Sequence, residues 1–145
     1  MARNLLVNDC IMNSRENTSL AVVIANADTT MRNTFLSKSH LKKQEVVQVT
    51  SFDDLLGVVN KENVAVAIVD TNVSPDLNKT VIAMLRKINR HLKVIITSNR
   101  HSPAFKLEMW ASGITYYGVN PVDYLAIDEI IKNILQKKYN AGFRG

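Results

Sequence analysis

Short apolar runs alternate with amphipathic segments along this chain. Three of the runs, residues 20–25, 64–69 and 94–96, are continuous and rich in β-branched side chains. Continuous apolar runs of this length are typical of strands that are buried on both faces of a parallel sheet. Residues 45–50 alternate only in part and predict an edge strand, and the short aromatic run 114–119 predicts the last strand.

An amphipathic segment follows each predicted strand. These five segments cover residues 30–39, 51–60, 79–89, 103–112 and 124–136. Ser51 and Asp123 are suited to cap the start of the second and fifth segments, and Gly113 is suited to end the fourth. A β-α unit repeated five times with right-handed crossovers gives a sheet with helices on both faces. The sequence therefore predicts an α/β fold, a (βα)5 doubly wound parallel sheet in a three-layer sandwich.

The composition fits one domain. The chain has 145 residues and 46% of them are hydrophobic, which is enough for one full core. We assign residues 19–138 to this domain, residues 1–18 to an N-terminal arm and residues 139–145 to a flexible C-terminal tail. The net charge of +5 comes from cations spread along the chain, which indicates solvated helix faces.

The expected compartment is the cytoplasm. No apolar run is long enough to span a bilayer, and the first residues are too polar for a signal peptide. The one cysteine, Cys10, cannot form an internal disulfide.

Ligands of open α/β sheets bind at the carboxyl ends of the strands. The turn after the first predicted strand, residues 26–30, contains no glycine. A dinucleotide or a flavin phosphate needs glycine in that turn so that the backbone can approach the phosphate. Both ligand classes are therefore disfavoured. A corrinoid-binding domain is disfavoured as well, because no histidine follows shortly after Asp70.

Several segments together resemble the receiver domain of response regulators. Residues 66–70 resemble the strand that ends in the phosphoacceptor aspartate, and Pro75 follows it in the loop. Residues 94–98 resemble the fourth strand, which ends in a hydroxyl residue. Residues 113–121 resemble the glycine, the switch aromatic and the Lys-Pro signature of these domains. The resemblance runs over about residues 20–136 and implies a flavodoxin-like, receiver-like fold.

The resemblance implies roles for three residues. Asp70 is the candidate phosphoacceptor, Ser98 the switch hydroxyl and Tyr117 the switch aromatic. In receivers, acidic side chains hold Mg²⁺, which neutralises the incoming phosphoryl group. The hydroxyl and the aromatic then change a protein-binding surface. These roles belong to signal transduction in a two-component phosphorelay.

The positions that depart from the receiver pattern are those that carry charge. The acid pair aligns with Asn26 and Ala27, and the lysine aligns with Asn120. Asp28 is the next residue, and we favour a helix N-cap for it over a metal ligand. With only Asp28 and Asp70 to supply carboxylates, Mg²⁺ binding should be weak, and no other cofactor is expected. This pattern predicts a degenerate receiver, or pseudo-receiver.

The function expected from this pattern is signalling by protein–protein interaction, without enzyme activity. The partner would be a histidine kinase or an output protein, or a second copy bound through the fourth helix, fifth strand and fifth helix. Trp110, Tyr116 and Tyr124 are the candidate interaction face in that segment. On the fourth helix, Leu107 with two alanines predicts the inward stripe.

Two other functions stay open. The first is a working receiver, in which Asp70 accepts phosphate and Asp28 with the backbone around Asn72 holds Mg²⁺. The second is a small polar ligand or nucleic acid bound at the strand ends, where amide side chains form a rim. These amides are Asn26, Asn72, Asn99 and Asn120. No helix-turn-helix or aromatic-plus-basic motif is visible, which disfavours nucleic acid.

Overall fold

The computed structural model describes residues 21–61 and 63–144, with side chains as far as Lys137. The predicted arm, residues 1–18, lies outside this range. The strands are β1 (Ala21–Ala25), β2 (Val46–Val49), β3 (Val64–Asp70), β4 (Lys93–Ser98) and β5 (Tyr116–Val119). The helices are α1 (Thr29–Lys38), α2 (Phe52–Val59), α3 (Lys79–Ile88), α4 (Pro103–Ala111) and α5 (Tyr124–Arg144). A short 3-10 helix, Lys43–Glu45, precedes β2.

The strands form one parallel sheet in the order β2-β1-β3-β4-β5. The chain passes from β1 out to β2 and then back across β1 to β3, so the order reverses between the two central strands. A crevice at their carboxyl ends follows from that reversal. The register places Ala25 beside Val69 and Asp70 beside Thr97. The doubly wound sheet and the edge position of β2 are both confirmed.

Apolar side chains fill both faces of the sheet. One face packs against α2, α3 and α4, with Leu55, Ile82 and Met109 fully buried. The other packs against α1 and α5 through residues such as Phe35 and Ile127. All seven residues of β3 are buried, as its continuous apolar run predicts. Each fully buried aliphatic side chain of this kind stabilises the fold by about 1.5–3 kcal/mol.

The predicted helix ends are mostly confirmed. The Ser51 hydroxyl accepts the Asp54 N–H at 3.2 Å, and the Asp123 carboxylate accepts the Ala126 N–H at 3.1 Å. Gly113, just after α4, has φ of +92°, a backbone conformation that favours glycine. None of the helices in the described ranges has the length and apolar content needed to cross a membrane.

Two predictions about helices are wrong. The last helix continues to Arg144 rather than ending at Gln136, so it runs through residues 139–144 of the predicted tail. Extending a helix that has already formed fixes little additional backbone per hydrogen bond, which offsets the weak propensity of this segment. Leu107 is not inward but 70% exposed, because α4 turns Phe105 and Met109 into the core instead.

Helices α1 and α5 are joined through the carboxylate of Asp128. Its Oδ1 accepts the Ser39 hydroxyl at 2.6 Å and the His40 backbone N–H at 3.2 Å, and its Oδ2 pairs with His40 Nδ1 at 2.8 Å. Burial raises the pKa of Asp128, but the hydrogen bonds from Ser39 and His40 and the charge of His40 outweigh burial. The pKa of Asp128 therefore lies below its usual value.

We expect Asp128→Asn to lower the free energy of unfolding by about 1 kcal/mol at neutral pH. The amide NH2 that replaces one carboxylate oxygen cannot accept the hydrogen bonds that Ser39 and His40 donate. The folded pKa lies below the unfolded value of about 4. The ionised Asp128 carboxylate therefore stabilises the fold fully above the unfolded pKa, and this stabilisation is lost as the pH falls through the folded pKa. Urea unfolding from about pH 7 to about pH 3 should show the gap between the two proteins closing in acid.

Glu129→Gln is the matched control, since Glu129 is the exposed carboxylate next along the helix. It should change the free energy of unfolding by less than about 0.5 kcal/mol. An Asp128→Asn deficit that does not vary with pH would contradict the assignment.

Candidate functional site

The Asp70 side chain lies at the carboxyl end of β3, and the residue is only 2% exposed. Its Oδ1 accepts the Asn72 backbone N–H at 2.9 Å. Its Oδ2 accepts the Thr97 hydroxyl at 2.7 Å and the Asn120 amide at 3.0 Å. All three donors are neutral. In the part of the chain that the structure describes, no ion pair involves Asp70.

Two asparagines link the loops that follow β1 and β3. Asn72 Nδ2 donates to Asn26 Oδ1 at 2.7 Å, and Asn72 Oδ1 accepts the Ala27 backbone N–H at 2.9 Å. Asn26 Oδ1 also accepts the Asp28 backbone N–H at 2.8 Å. Asn26, one of the two aligned acid positions, is 7% exposed. The two loops are thus held together by neutral side-chain amides.

Asp28 caps helix α1, as the sequence favours. Its Oδ1 accepts the backbone N–H groups of Thr30 at 2.8 Å and Met31 at 3.2 Å. The nearby Arg32 guanidinium donates to the Asn26 carbonyl and, at 3.1 Å, to the Gln48 side chain. The carboxylate and the guanidinium therefore both serve to fix the turn between β1 and α1.

This arrangement does not fit a magnesium site. Mg²⁺ needs oxygen ligands in octahedral geometry, usually including carboxylates. Here the oxygens of Asn26 and Asp70 already accept hydrogen bonds from the chain, and Asp28 caps a helix. Among the described residues, no group of three or more His, Cys, Asp or Glu side chains is placed to hold a metal. Weak Mg²⁺ binding by Asp28 and Asp70 stays a prediction.

The hydroxyl on Asp70 belongs to Thr97, which sequence reasoning did not select. The predicted switch hydroxyl, Ser98, is fully buried one residue further along β4. Its Oγ accepts the Arg100 backbone N–H at 2.9 Å and the Thr71 hydroxyl at 3.1 Å. Successive strand residues point to opposite faces of the sheet. Thr97 therefore contacts Asp70, whereas Ser98 contacts Thr71 and Arg100 in the loops after β3 and β4. Aligning β3 with β4, which pairs Asp70 with Thr97, would have found it.

Asn120 occupies the aligned lysine position at the end of β5. Its amide nitrogen reaches Asp70, whereas its Oδ1 is buried without a hydrogen-bond partner. The Asn120–Pro121 peptide bond is cis, an isomer that the sequence allows before proline. A neutral donor therefore stands where the resemblance implies a cation.

Tyr117, the predicted switch aromatic, is buried with 6% exposure. Its ring packs edge-on against Phe105, with ring centroids 6.0 Å apart. The Arg100 guanidinium lies over the Phe105 ring at 4.4 Å and donates to the Pro75 carbonyl at 2.6 Å. Arg100 thereby joins the loop after β3 to the loop after β4. A switching role for Ser98 and Tyr117 stays a prediction.

The three residues of the predicted interaction face lie in different surroundings. Trp110 is 42% exposed on α4. Tyr116 is half-buried against the core on the α5 side of the sheet, and the ring of Tyr124 packs at 6.0 Å from Phe35. Burial raises the pKa of Tyr124, and the negative charges of Asp70 and Asp28 raise it further. Tyr124 therefore lies near the Asp70 site, and of the three residues Trp110 is the most open to a partner.

A cleft lies between the strand ends and helices α1 and α5. It is small and partly open to solvent. Its walls are mostly apolar, and its polar lining residues are Asn26, Arg32, Thr97, Asn120 and Tyr124.

No protein-family model and no curated protein matches the chain. Among solved structures, a CheY-like response regulator receiver domain protein from Methanospirillum hungatei JF-1 is 20% identical with a TM-score of 0.69, over 85% of this chain and 99% of that one. The receiver domain of a Francisella response regulator is 21% identical with a TM-score of 0.69, and the match covers 82% of this chain and 98% of that one. A putative pilus assembly protein from Burkholderia thailandensis E264 is 13% identical with a TM-score of 0.62, over 81% and 98%. The chain therefore has the flavodoxin-like fold of receiver domains.

We expect Asn120→Asp to lower the free energy of unfolding by about 2 kcal/mol at neutral pH, because it places two carboxylates in contact at a buried position. Acidification should restore much of that loss, since the pair can then share a proton. Thermal unfolding at neutral and acidic pH measures both effects. Asn99→Asp, at an exposed position beyond the end of β4, is the control and should change little. Equal effects of the two substitutions would contradict the hydrogen bond to Asp70.

Proposed function

We propose that this chain is a signalling domain of the response-regulator receiver type that acts by binding a protein partner, with weak or no Mg²⁺-dependent phosphorylation. The observation that carries the proposal is that the acceptor oxygens of Asp70 and Asn26 are already bonded to neutral donors of the chain. The proposal needs no catalysis by this chain, and it places the protein in the cytoplasm.

Electrostatics argue against efficient phosphorylation of Asp70. A phosphoryl group adds about −1.5 to −2 charges. Receivers offset that charge with a metal ion and a lysine, whereas Asn26, Ala27 and Asn120 offer none. Charge placed on a buried side chain without a compensating cation costs several kcal/mol. Transfer to Asp70 should therefore be slow and its product unstable.

The bridge between the two loops supports a fixed conformation rather than a switched one. A bound metal would join the loops after β1 and β3 only when it is present. Asn26 and Asn72 join them by hydrogen bonds that belong to the chain itself. A surface supported by such loops is available to a partner without phosphorylation.

The proposed contact surface is the face formed by α4, β5 and α5. Leu107 on α4 and Leu125 on α5 are 70% and 68% exposed, and Trp110 lies on α4 with Leu107. Exposed large apolar side chains of this kind are typical anchors of protein interfaces. The partner would be a histidine kinase or an output protein. A second copy of the chain is the alternative partner for the same surface.

Two observations favour other functions. Asp70 is retained at the end of β3, which favours a working phosphoacceptor. The cleft beside Asn120 favours a small polar ligand. Most amides of the rim already make hydrogen bonds within the chain, however, because Asn26 bonds Asn72 and Asn120 bonds Asp70. They are therefore less available to a ligand. We therefore rank both below the interaction module.

The test is to compare the natural chain with a variant that restores the receiver charges, Asn26→Asp with Ala27→Asp and Asn120→Lys. Both are treated with acetyl phosphate and Mg²⁺, and the modified residue is located by mass spectrometry. The restored variant should label at Asp70, and Asp70→Asn in that background should abolish the label. The natural chain should label at least about a hundredfold more slowly, because it lacks the metal-binding acids.

Beryllofluoride titration followed by amide NMR gives an independent reading. Shifts should spread from Asp70 to Tyr117 in the restored variant and be weak or missing in the natural chain. If the natural chain labels as fast as the restored variant, the proposal is wrong and the working phosphoacceptor takes its place.

A further inference from the structure

Helices α2 and α3 lie side by side over one face of the sheet and share a core through residues such as Leu55, Val59 and Ile82. Each follows a parallel strand, so both run from the carboxyl edge of the sheet to its amino edge. Neither their outer surface nor its charges belong to the Asp70 site. The two ends of this surface, named here the α2–α3 face, carry opposite charge.

The end at the carboxyl edge is acidic. Asp53 and Asp54 are exposed in the first turn of α2, and Asp76 is exposed in the loop before α3. The cations at this end are Lys79, whose backbone N–H donates to the carboxylate of Glu108 at 3.0 Å, and Arg100, whose guanidinium donates to the Pro75 carbonyl. Carboxylates therefore predominate at this end.

The end at the amino edge is basic. Lys87 is exposed in the last turn of α3, Lys61 and Arg90 are exposed in the turns that follow the two helices, and Lys93 is exposed at the start of β4. The two sequence segments that carry these cations, residues 60–63 and 87–93, contain one carboxylate, Glu62, which lies outside the described residues. Favourable interaction with a helix dipole explains Lys87, but Lys61, Arg90 and Lys93 lie outside the helices.

A buried asparagine holds the basic end in shape. Asn89 is 9% exposed, and its amide donates to the carbonyls of Val59 at 3.1 Å, Lys61 at 3.3 Å and Val64 at 3.1 Å. Its Oδ1 accepts the His91 N–H at 3.2 Å. The turns that carry the cations are therefore fixed to each other, so little ordering is needed when they meet a partner.

Apolar side chains lie along the same face. Met84 and Ile88 are 38% and 37% exposed. Lys79 contacts α4 and Arg86 contacts Gly113 just after it, and the helical period puts Met84 and Ile88 on the far side of α3 from these two residues. On α2, a Cβ at Gly57 would meet no atom within 4 Å, so the surface there is open. A flat approach to this face is possible.

We propose that the α2–α3 face binds a second copy of this chain, in a twofold symmetric dimer with the helices of the two copies antiparallel. A twofold contact joins one surface patch to itself, so the patch must complement itself. A twofold axis that makes the helices antiparallel places α2 on α2 and α3 on α3. Asp53 and Asp54 of each copy then lie opposite Lys61 of the other, and Asp76 lies opposite Lys87 and Arg90. Met84 and Ile88 supply apolar area between these charged contacts.

Charge separation specifies the antiparallel orientation. Helix α3 has ten residues, so the acidic and basic ends lie about 15 Å apart. That spacing exceeds the screening length of about 8 Å at physiological salt, so each end acts on the nearest charges of the partner. A parallel pairing would oppose like charges at both ends. This dimer uses a different face from the proposed partner surface on α4, β5 and α5, and it does not depend on Asp70.

The test uses charge reversal on the full chain. Lys61→Glu, Lys87→Glu and Arg90→Glu together reverse the basic end, and Asp53→Lys, Asp54→Lys and Asp76→Lys together reverse the acidic end. Sedimentation at low and high salt should show that the natural chain dimerises, more strongly at low salt. Each reversed variant alone should dimerise at least about tenfold more weakly, because like charges then oppose each other.

An equimolar mixture of the two reversed variants should regain a dimer, since the reversed charges of each variant then lie opposite charges of the other sign in the unlike copy. Native mass spectrometry identifies that dimer by its mass. Leu107→Ser with Trp110→Ala, on the other face, is the matched control and should dimerise like the natural chain. Circular dichroism checks folding, and Asp76→Lys replaces the acidic-end variant should that one unfold.

Three results would overturn the proposal. The first is a natural chain that remains monomeric at roughly 1 mM, the weakest dimerisation that is useful to consider. The second is a dimer that both reversed variants form as well as the natural chain. The third is a dimer that is lost only in the Leu107→Ser, Trp110→Ala variant, which would place the contact on α4, β5 and α5.

Discussion

The buried carboxylate of Asp70 is the group around which the carboxyl edge of the sheet is arranged. A charged side chain that is 2% exposed must be hydrogen-bonded to be tolerated, and three strands or loops contribute to this. The Asn72 N–H comes from the loop after β3, the Thr97 hydroxyl from β4 and the Asn120 amide from the end of β5. The same hydrogen bonds that make the carboxylate tolerable also fix these segments relative to one another. They leave no oxygen of Asp70 without a partner, which sets this site apart from one that must bind a metal and accept a phosphoryl group.

The second constraint is that neutral side-chain amides join the loops after β1 and β3 to each other. Asn26 accepts the Asp28 N–H and the Asn72 amide, and Asn72 accepts the Ala27 N–H in return. Neutral hydrogen bonds of this kind each contribute about 1 kcal/mol net and depend little on salt or metal. The side chains of Asn26 and Asn120 and the backbone of Ala27 therefore belong to one set of hydrogen bonds that meets at Asn72 and Asp70.

The fold could be predicted from the sequence because continuous apolar runs such as 64–69 are informative over many residues at once. Caps such as Ser51 and Asp123 could be predicted because their chemistry is local. The site was harder, since it depends on pairing between strands. Only the register reveals that Thr97, rather than Ser98, meets Asp70. The exposure of Leu107 was missed for a related reason: a one-residue rotation of α4 decides which side chains enter the core, and the sequence supports more than one rotation.

Under the proposed function, regulation depends on the two proposed contact surfaces and on the residues that connect them, and not on a change at Asp70. Arg100 spans the loops after β3 and β4 by donating to the Pro75 carbonyl, and it covers Phe105, whose ring packs against Tyr117. The Lys79 backbone N–H connects the start of α3 to Glu108 on α4, and Arg86 connects the last turn of α3 to Gly113, just after α4. Contact alone does not make such a path allosteric, because coupling requires an element with two arrangements that both sites bias. The exposed guanidinium of Arg100 fits that requirement better than the buried network at Asp70. It can exchange the Pro75 carbonyl for water at small cost, whereas Asp70 would be left buried with unsatisfied oxygens. Any signal that passes between the α2–α3 face and the surface on α4, β5 and α5 should therefore be carried by these loops, and the neutral network should stay as it is.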